Sequence, residues 1–422
     1  MFIEKEVSIY DFVCAISEAI DLVSPVLNSH QKRVAFIACS IGQEMNLPNE
    51  EIKDIILASM LHDIGAFSID DRMRTLAFED SLMDQHGLLG YKLLKDFEPL
   101  ANAAELIKYH HVDYGSSNVP LGSYIIHLAD RAAILVEEKK EILKQVSEIT
   151  EKISLKYHKF HPDVFKAFIR ASKLEYVWVE AFSSSLNAVM LKRVRFPKEI
   201  IDLETLRSFA KVIAQIIDFR SRFTATHSRG VAAVAQELTA ISGFSERECK
   251  LMEIAGLLHD LGKLAVPNSI LEKKGKLDDE EFFSIKAHTY YTFAILSKIN
   301  GMENIAAWAA YHHERQDGTG YPFHVKGENF SKFARIMVVA DVVTALTEDR
   351  PYRAGMGMEK ASEVLSSMVD NGGIDKNIVD LANKNFFRIN DVRIKAQEEA
   401  QNEYEAFHST CERSFANAAL SA

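Results

Sequence analysis

The sequence predicts an all-α fold made of two tandem helical bundles and a helical C-terminal tail. Three observations lead to this expectation: apolar residues recur at helical spacing, strand-like alternation is scarce, and one arrangement of histidines occurs twice. The chain has 422 residues, which is longer than one ordinary core accommodates. The length therefore favours two or three domains.

The helical spacing is clearest ahead of two His-Asp pairs. Apolar residues follow a helical period before each pair, at Ile52, Ile55, Ile56 and Met60 and again at Leu251, Ile254, Ala255 and Leu258. Gly65 and Gly262 follow shortly after, and we expect them to act as C-terminal caps of these helices.

A domain boundary is expected near residues 183–200, where SSS and then RFPKE interrupt the pattern. This divides the chain into a first domain over residues 1–190, a second over 200–390 and a tail over 391–422. The tail is polar and alanine-rich, which favours a helix. It could pack against another subunit, as in a homodimer, or remain exposed to solvent.

Composition excludes several classes of protein. Apolar residues make up 47% and charged residues 26% of the chain, as in globular proteins. The start, MFIEKEVSIYDF, does not resemble a signal peptide, and no apolar run is long enough for a membrane helix. We therefore expect a cytoplasmic protein without a membrane partner. Its four cysteines lie far apart and are expected to be reduced thiols: Cys14, Cys39, Cys249 and Cys411.

The net charge of −11 disfavours binding to nucleic-acid polymers, which needs a broad basic face. It leaves room for a small phosphate ligand that is held by a few local cations or by metal ions.

Ten of the fifteen histidines form two matching sets. The first set consists of His30, His62, His86, His110 and His111, and the second of His227, His259, His288, His312 and His313. An aspartate follows the second histidine of each set, and another stands in a later Ala-Asp pair: Asp63 and Asp130, then Asp260 and Asp341. The offset between the copies is 197 residues at the first positions, 202 at the middle ones and 211 at the last. Such a period indicates two similar domains.

Histidine nitrogen and carboxylate oxygen together suit borderline divalent ions such as iron, manganese or zinc. A single histidine on an apolar helix face is usually a satisfied core residue. Adjacent His-Asp and His-His pairs that recur with matched gaps are hard to explain in that way. We therefore predict a metal site in the second copy, and leave both readings open for the first.

The second copy contains the motifs HSRGVA (227–232), LHDLGK (258–263), HHERQDGTGYP (312–322) and ADVVTALTEDRPYR (340–353). Together they resemble the HD-GYP domain, a subfamily of the HD-domain phosphohydrolases, over roughly residues 200 to 390. The resemblance implies an all-α bundle that hydrolyses cyclic dinucleotides, chiefly cyclic di-GMP, at a centre of two or three ions, usually iron or manganese.

The resemblance also implies ligands for two ions in the second copy. One ion would be held by His227, His259, Asp260 and Asp341, and the other by Asp260, His288, His312 and His313, with Asp260 bridging. Family members with a third ion carry a glutamate four positions before the first histidine, where this chain has Phe223. The resemblance therefore points to two ions.

Two ions would activate a water as a metal-bound hydroxide and stabilise the attacking and leaving oxygens of an in-line displacement. The family places a catalytic lysine at the position of Lys263, which would neutralise a phosphate oxygen. Asp260 would take part in catalysis as the ligand that bridges the two ions. Substrate phosphates would bind Arg350 and Arg353. Tyr321 is a third residue expected to bind the substrate. It lies in the glycine-rich loop Asp317–Pro322, whose glycines would let backbone amides approach an anion.

The first copy keeps all seven candidate ligands but lacks the other features. Ala66 replaces the lysine, HHVDYGSSNVP replaces the glycine-rich loop, and no RPYR segment follows Asp130. It resembles a plain HD domain. It could regulate by binding a metal or small ligand, hydrolyse another phosphate compound, or be a structural relic that supports dimerisation; we favour regulation.

The leading hypothesis is a phosphodiesterase that opens cyclic di-GMP, 3′,3′-cyclic GMP-AMP or both to a linear dinucleotide. One alternative is a catalytically silent adaptor that binds the nucleotide. Another is an HD hydrolase of a different nucleotide. The intact ligand set with Lys263 and Tyr321 argues against the adaptor, and the glycine-rich loop argues against the other hydrolase.

Overall fold

The computed structural model describes residues 6–21, 29–66, 84–116, 118–137, 139–219, 225–273, 275–349 and 353–421. The chain forms two compact units. The N-terminal unit spans Ser8–Glu199, and the C-terminal unit combines Met1–Val7 with Ile200–Ala422.

The described part of the N-terminal unit contains ten α-helices. They are α1 (Ile9–Asp21), α2 (His30–Glu44), α3 (Asn49–Leu61), α4 (Asp84–Leu94), α5 (Ala101–Lys108), α6 (Leu121–Ile134), α7 (Ile142–Leu155), α8 (Pro162–Ala171), α9 (Glu175–Ala181) and α10 (Leu186–Arg193). Helix α2 lies at the centre, against α3, α6 and α8. Its Phe36, Ile37 and Ile41 are fully buried, so this helix forms the middle of the core.

The C-terminal unit also contains ten α-helices in its described part. They are α11 (Leu203–Asp218), α12 (His227–Ile241), α13 (Glu246–Leu258), α14 (Asn268–Leu271), α15 (Asp279–Leu296), α16 (Glu303–Ala310), α17 (Lys332–Thr347), α18 (Met358–Asp370), α19 (Lys376–Lys384) and α20 (Phe386–Ser421). Helix α12 lies at the centre, against α13, α17 and α20.

Local sequence explains several of these helix starts. Ser245 and Glu248 form a capping box at the start of α13, and Asp278 and Glu281 form one at the start of α15. Each box satisfies backbone N–H groups that the first turn of a helix leaves without partners. The two helices that lead into the predicted ligands His259 and His288 are therefore fixed at their N-terminal ends.

The repeat in the sequence corresponds to a repeat of helix packing. In the N-terminal unit α2 packs on α3 and α6, and α4 packs on α5; in the C-terminal unit α12 packs on α13 and α17, and α15 packs on α16. The apolar residues that precede each His-Asp pair are buried, from Ile52 to Met60 and from Leu251 to Leu258. The prediction of an all-α fold of two bundles is confirmed. In the described ranges the strands form one two-stranded sheet, Glu6–Val7 with Glu199–Ile200.

Gly65 and Gly262 are required for a different reason from the expected one. Helices α3 and α13 end at Leu61 and Leu258, so neither glycine caps them. A Cβ atom on Gly65 would lie 2.1 Å from the His86 carbonyl oxygen, and one on Gly262 would lie 1.9 Å from that of His288. The expectation of C-terminal caps is wrong. Both glycines let the chain after the His-Asp pair pass against the helix that carries the next ligand.

The C-terminal helix α20 begins at Phe386 and includes the segment expected to be a tail. It packs along α12 inside the C-terminal unit. Arg229 of α12 pairs with Glu403 at 3.2 Å, and Gln215 of α11 donates to the same carboxylate at 3.0 Å. This part of α20 therefore belongs to the bundle. No helix in the described ranges is long and apolar enough to cross a membrane.

Candidate metal centre

The structure brings all seven predicted ligands of the second copy together. His227 begins α12, His259 and Asp260 follow the end of α13, His288 lies in α15, and Asp341 lies in α17. His312 and His313 end a short 3-10 helix, Tyr311–His313. Ligand atoms lie within 4.8 Å of one another in three groups: His227, His259 and Asp341; His259, Asp260 and His312; and His288, His312 and His313.

Asp260 lies between these groups. Its Oδ2 is 3.1 Å from Nε2 of His259, and its Oδ1 is 3.4 Å from Nε2 of His288 and 3.9 Å from Nε2 of His312. On the far side, Nε2 of His227 lies 3.3 Å from Oδ1 of Asp341. One carboxylate therefore faces both halves of the ligand set, as a bridging ligand must.

Main-chain carbonyls fix the orientation of three imidazoles. Nδ1 of His259 lies 2.7 Å from the Gly256 oxygen, Nδ1 of His288 lies 2.5 Å from the Ile285 oxygen, and Nδ1 of His312 lies 2.7 Å from the Ala309 oxygen. A carbonyl oxygen only accepts, so each Nδ1 carries the proton. The Nε2 atoms are then free to act as ligands, which is the usual arrangement of metal-binding histidines.

The charge state of three of these imidazoles fits a cation beside them. Burial lowers the pKa of His288, His312 and His313 to about 3, so these rings are neutral at pH 7. Nε2 of His288 and Nε2 of His312 face each other at 3.1 Å. Because both Nδ1 atoms are protonated, these are two lone pairs in contact, which repel unless a positive ion lies beside them.

Two more polar atoms of the ligand set are buried without a hydrogen-bond partner among the described residues. Nε2 of His259 and Oδ1 of Asp260 are buried and form no hydrogen bond within the described residues. Buried polar atoms of this kind are costly unless an ion or water satisfies them. Imidazole and carboxylate donors in this proportion suit divalent transition metals, so the residues present fit such ions.

Lys263 lies on the outer side of Asp260. Its Nζ is 2.6 Å from Asp260 Oδ2, and its side chain is 22% exposed. Burial alone would raise the pKa of Asp260, but His259 and Lys263 outweigh it and hold that pKa well below its usual range. Burial alone would lower the pKa of Lys263, but Asp260 raises it instead. Lys263 therefore remains a cation at physiological pH, at the edge of the ligand cluster.

Glu348 supports His227 and was missed by the sequence reasoning. Its carboxylate oxygens accept from Nδ1 of His227 at 3.1 and 3.2 Å, and only 5% of the residue is exposed. Burial opposes a charge on His227, but Glu348 and Asp341 outweigh it and raise its pKa well above the usual value. Glu348 belongs to the TEDRPYR segment, which the sequence analysis had selected for its arginines. Nothing in the sequence indicated that the Glu348 side chain points towards His227.

Asp218 was also missed by the sequence reasoning, although an aspartate recurs at this position in both copies. Its Oδ1 accepts from the Ser228 hydroxyl at 2.8 Å and its Oδ2 from the Ser228 N–H at 3.2 Å, which anchors the start of α12 beside His227. Burial raises the pKa of Asp218 to about 7. In the first copy Asp21 stands 197 residues earlier, the same offset as the leading histidines, and accepts from the Ser29 N–H at 3.0 Å.

The glycine-rich loop folds back on the ligands. The Tyr321 N–H donates to the His313 carbonyl at 3.1 Å, and the two rings lie 5.1 Å apart. The buried carboxylate of Glu314 accepts from the N–H groups of Phe323 and Val325 at 2.7 and 3.1 Å. Glu314, which the sequence reasoning did not select, therefore holds the loop beside His313.

The structure describes two of the three residues that are expected to bind the substrate, Tyr321 and Arg353. Burial raises the pKa of Tyr321 to about 12, and Nζ of Lys286 lies 4.9 Å from its ring centre. Arg353 donates through Nη2 to the Ala345 carbonyl at 2.5 Å, so this part of its guanidinium already has a partner. Arg350 and Phe223 lie outside the described residues.

The first copy forms a similar cluster. Ligand atoms lie within 4.8 Å of one another in two groups that share Asp63: His30, His62 and Asp63, and Asp63, His86, His110 and His111. Nε2 of His30 lies 3.1 Å from Oδ1 of Asp130, so all seven predicted residues meet here too. Nε2 of His86 faces Nε2 of His110 at 3.1 Å.

The cations differ between the copies. The position of Lys263 is Ala66 in the first copy, and Asp63 Oδ2 accepts instead from the neutral Gln31 amide at 3.1 Å. The first copy has a cation at a different ligand: Arg131 forms an ion pair with Oδ2 of Asp130 at 2.5 Å. The first copy thus keeps the ligands but not the lysine at the shared carboxylate.

Comparison with known proteins identifies two HD domains in the chain and several similar phosphodiesterases. Residues 211–378 and residues 28–135 each match an HD domain family. Over 91% of its length the chain is 30% identical to 3′3′-cGAMP-specific phosphodiesterase 1 of Vibrio cholerae serotype O1, of which it covers 93%. Over 37% of its length it is 39% identical to the cyclic di-GMP phosphodiesterase response regulator RpfG of Xanthomonas campestris, of which it covers 41%.

A solved structure supports the fold over nearly the whole chain. The crystal structure of a cyclic GMP-AMP specific phosphodiesterase of V. cholerae (V-cGAP3) matches 94% of this chain and 98% of its own, with a TM-score of 0.62 and 21% identity. Two HD domains, the second with a GYP loop beside its ligands, define a class of phosphodiesterase. The chain belongs to this class, the HD-GYP family, as its motifs predict.

Proposed function

We propose that the C-terminal domain hydrolyses one phosphodiester bond of a cyclic dinucleotide and releases a linear dinucleotide. The observation that carries this proposal is the position of Asp260, between two sets of imidazoles and beside the cation of Lys263. The names of the relatives favour 3′,3′-cyclic GMP-AMP and cyclic di-GMP as the substrates to test.

The ligand set would hold two divalent ions; its mixture of nitrogen and oxygen donors suits iron, manganese or zinc, and the family resemblance favours iron or manganese. His227, His259 and Asp341 would hold one ion, His288, His312 and His313 the other, and Asp260 would bridge them. The ions would supply Lewis acidity to an in-line displacement at phosphorus.

The side chains around the ligands would position the substrate. Lys263 is a cation with an exposed edge, so it can neutralise a phosphate oxygen as negative charge develops there. Tyr321 is fixed against His313 and presents its ring beside Lys286. Arg353 and Arg350 would add positive charge at the phosphates. In the overall reaction, water adds to phosphorus, one P–O bond to a ribose oxygen breaks, and that oxygen takes up a proton.

The N-terminal domain would bind a further metal ion and regulate the C-terminal domain. Its ligands meet as those of the second copy do, which favours binding. It lacks the lysine at Asp63, which disfavours the same reaction.

The test is to load the purified protein with Fe²⁺ or Mn²⁺ and incubate it with each cyclic dinucleotide, following the products by chromatography. A linear dinucleotide from at least one of them is the expected result. Binding without product would support the silent adaptor. Hydrolysis of nucleoside triphosphates or monophosphates alone would support another HD hydrolase.

A further inference from the structure

We infer that Gln397 of helix α20 positions the metal ligand His227, acting through Glu348, so that the C-terminal helix is part of the support of the metal centre. This inference rests on the metal site of the proposed function. Its central residue, Gln397, lies outside the motifs, and the relatives' names give it no role.

The support of His227 differs from that of its neighbours. Nδ1 of His259, His288 and His312 faces a main-chain carbonyl, and the backbone holds these oxygens in place. Nδ1 of His227 faces the carboxylate of Glu348 instead. A side-chain acceptor can rotate, so the orientation of His227 depends on whatever fixes Glu348.

Gln397 makes that contact from the C-terminal helix. Its Nε2 donates to Oε2 of Glu348 at 3.1 Å, the same oxygen that lies 3.1 Å from Nδ1 of His227. Arg393, one turn earlier on α20, donates through Nη1 to Oε1 of Gln397 and through Nη2 to Asn390 at 2.8 Å. Because its oxygen is held by a guanidinium, the amide must present its N–H₂ group to Glu348.

The packing of α12 leaves room for this contact. A Cβ atom on Gly230 would lie 2.7 Å from Nε2 of Gln397, so any larger residue there would push the amide away from Glu348. Gly230 is one turn after His227 on the same helix. The glycine thus lets α20 approach close enough to reach the second sphere of the centre.

The first copy shows that this arrangement belongs to the C-terminal domain. Glu137 follows Asp130 by seven residues, as Glu348 follows Asp341. The Glu137 side chain is nevertheless 59% exposed and pairs with Lys140 at 2.6 Å. The same offset therefore does not produce the same contact, and what distinguishes Glu348 is its burial against α20.

Removing the outer partner of a ligand, which here is Glu348, typically weakens metal binding by about 10 to 100-fold. Gln397 lies one contact further out, so its removal should weaken binding by up to about 10-fold. The variant Gln397→Met keeps the size of the side chain and removes the donor. Gln401→Met is the matched control, since Gln401 is exposed one turn further along α20 and donates to Glu405. The double variant Glu348→Gln with Gln397→Glu exchanges the amide and the carboxylate and so restores a donor–acceptor pair.

The measurement is the affinity of the full chain for Mn²⁺, by competition with a chelating dye, together with the Tm of the metal-free protein. Both domains can contribute to the Mn²⁺ binding that is measured. The contribution of the C-terminal domain is the binding that is lost in the Asp260→Ala variant. We expect Gln397→Met to weaken it measurably, by up to about 10-fold, Gln401→Met to leave it unchanged, and the exchange to restore part of it.

An unchanged affinity in Gln397→Met would overturn the inference. So would a lower Tm of the metal-free protein with unchanged affinity, because that result describes a purely structural contact. Neither readout requires turnover, so failure of the inference is distinct from failure of the proposed activity.

Discussion

Nζ of Lys263 lies 2.6 Å from Oδ2 of Asp260, whereas the equivalent oxygen of Asp63 accepts from the uncharged Gln31 amide at 3.1 Å. The two copies therefore hold the shared carboxylate in a similar frame of imidazoles, but only Asp260 has a lysine three residues further along the chain, where the first copy has Ala66. A positive charge next to a reaction centre stabilises the negative charge that develops on a phosphate in the transition state. This difference is the main physical reason for our proposal that the C-terminal domain carries out the hydrolysis.

Lys263→Met should separate catalysis from metal binding. The change removes the cation and keeps the aliphatic stem, so we expect turnover to fall by about 100-fold or more. Metal content should remain, because Lys263 donates no ligand atom. The measurement is kcat together with bound metal, and Lys395→Met, at an exposed lysine of α20, is the control. Turnover like that of the unmodified protein would show that Lys263 takes no part in the reaction.

Gly262→Ala tests the close approach of the chain to α15. The added methyl would lie 1.9 Å from the His288 carbonyl oxygen, and both are held by backbone. We expect the C-terminal domain to lose about 2–4 kcal/mol of stability. Gly275→Ala is the control, since a Cβ there meets nothing within 4 Å, and it should change stability by less than about 0.5 kcal/mol.

The two tryptophans make this measurement specific. Trp308 lies in the C-terminal unit and Trp178 in the N-terminal one, and the chain has no others. Urea unfolding followed through Trp308, with Trp178→Phe in both proteins, reports on the domain that contains Gly262. Equal stability of the two glycine variants would contradict the role assigned to Gly262.

The pH dependence of the N-terminal unit should depend on His127. This histidine is buried, its ring lies 5.2 Å from that of Phe160, and its Nδ1 forms no hydrogen bond within the described residues. Burial, with a smaller contribution from Arg131, lowers its pKa to about 4. The unfolded value is about 6.5, so between these values the unfolded chain binds a proton that the native chain does not. Stability must therefore fall as pH falls through this window.

In the His127→Phe variant, neither the unfolded nor the native chain can bind a proton at this position, so this contribution to the pH dependence of stability disappears. Between pH 6.5 and 4.5 the slope of unfolding free energy against pH should decrease by up to about 1.4 kcal/mol per pH unit. The measurement is urea unfolding of metal-free protein, followed through Trp178 with Trp308→Phe in both chains. If both proteins lose stability equally over this range, His127 does not titrate as inferred.

Much of the site could be predicted because histidine is a scarce residue whose pattern is easy to see. Ten histidines with matched gaps marked both copies, and the structure brings every predicted ligand into a cluster. Asp21 and Asp218 recur at the same offset of 197 but went unnoticed, because aspartate is common and its usual role is at the surface.

Other features could not be read from the sequence at all. Glu137 and Glu348 occupy matching positions, and only the packing of α20 makes one of them a partner of a ligand. The same helix looked like a separable tail, because its polar composition does not reveal that Gln397 reaches inward beside Gly230. Gly262 was expected to cap a helix, but the atom that it avoids is the carbonyl oxygen of His288, 26 residues later in the chain.

The most direct test compares the same change in both copies of the repeat. Turnover of 3′,3′-cyclic GMP-AMP and cyclic di-GMP, and bound metal, would be measured for Asp260→Ala and for His62→Ala combined with Asp63→Ala. We expect Asp260→Ala to abolish turnover and lower the metal content. The double change in the first copy should alter the rate or the metal stoichiometry while turnover continues. Turnover that survives Asp260→Ala, or that disappears with the change in the first copy alone, would contradict the assignment of hydrolysis to the C-terminal domain.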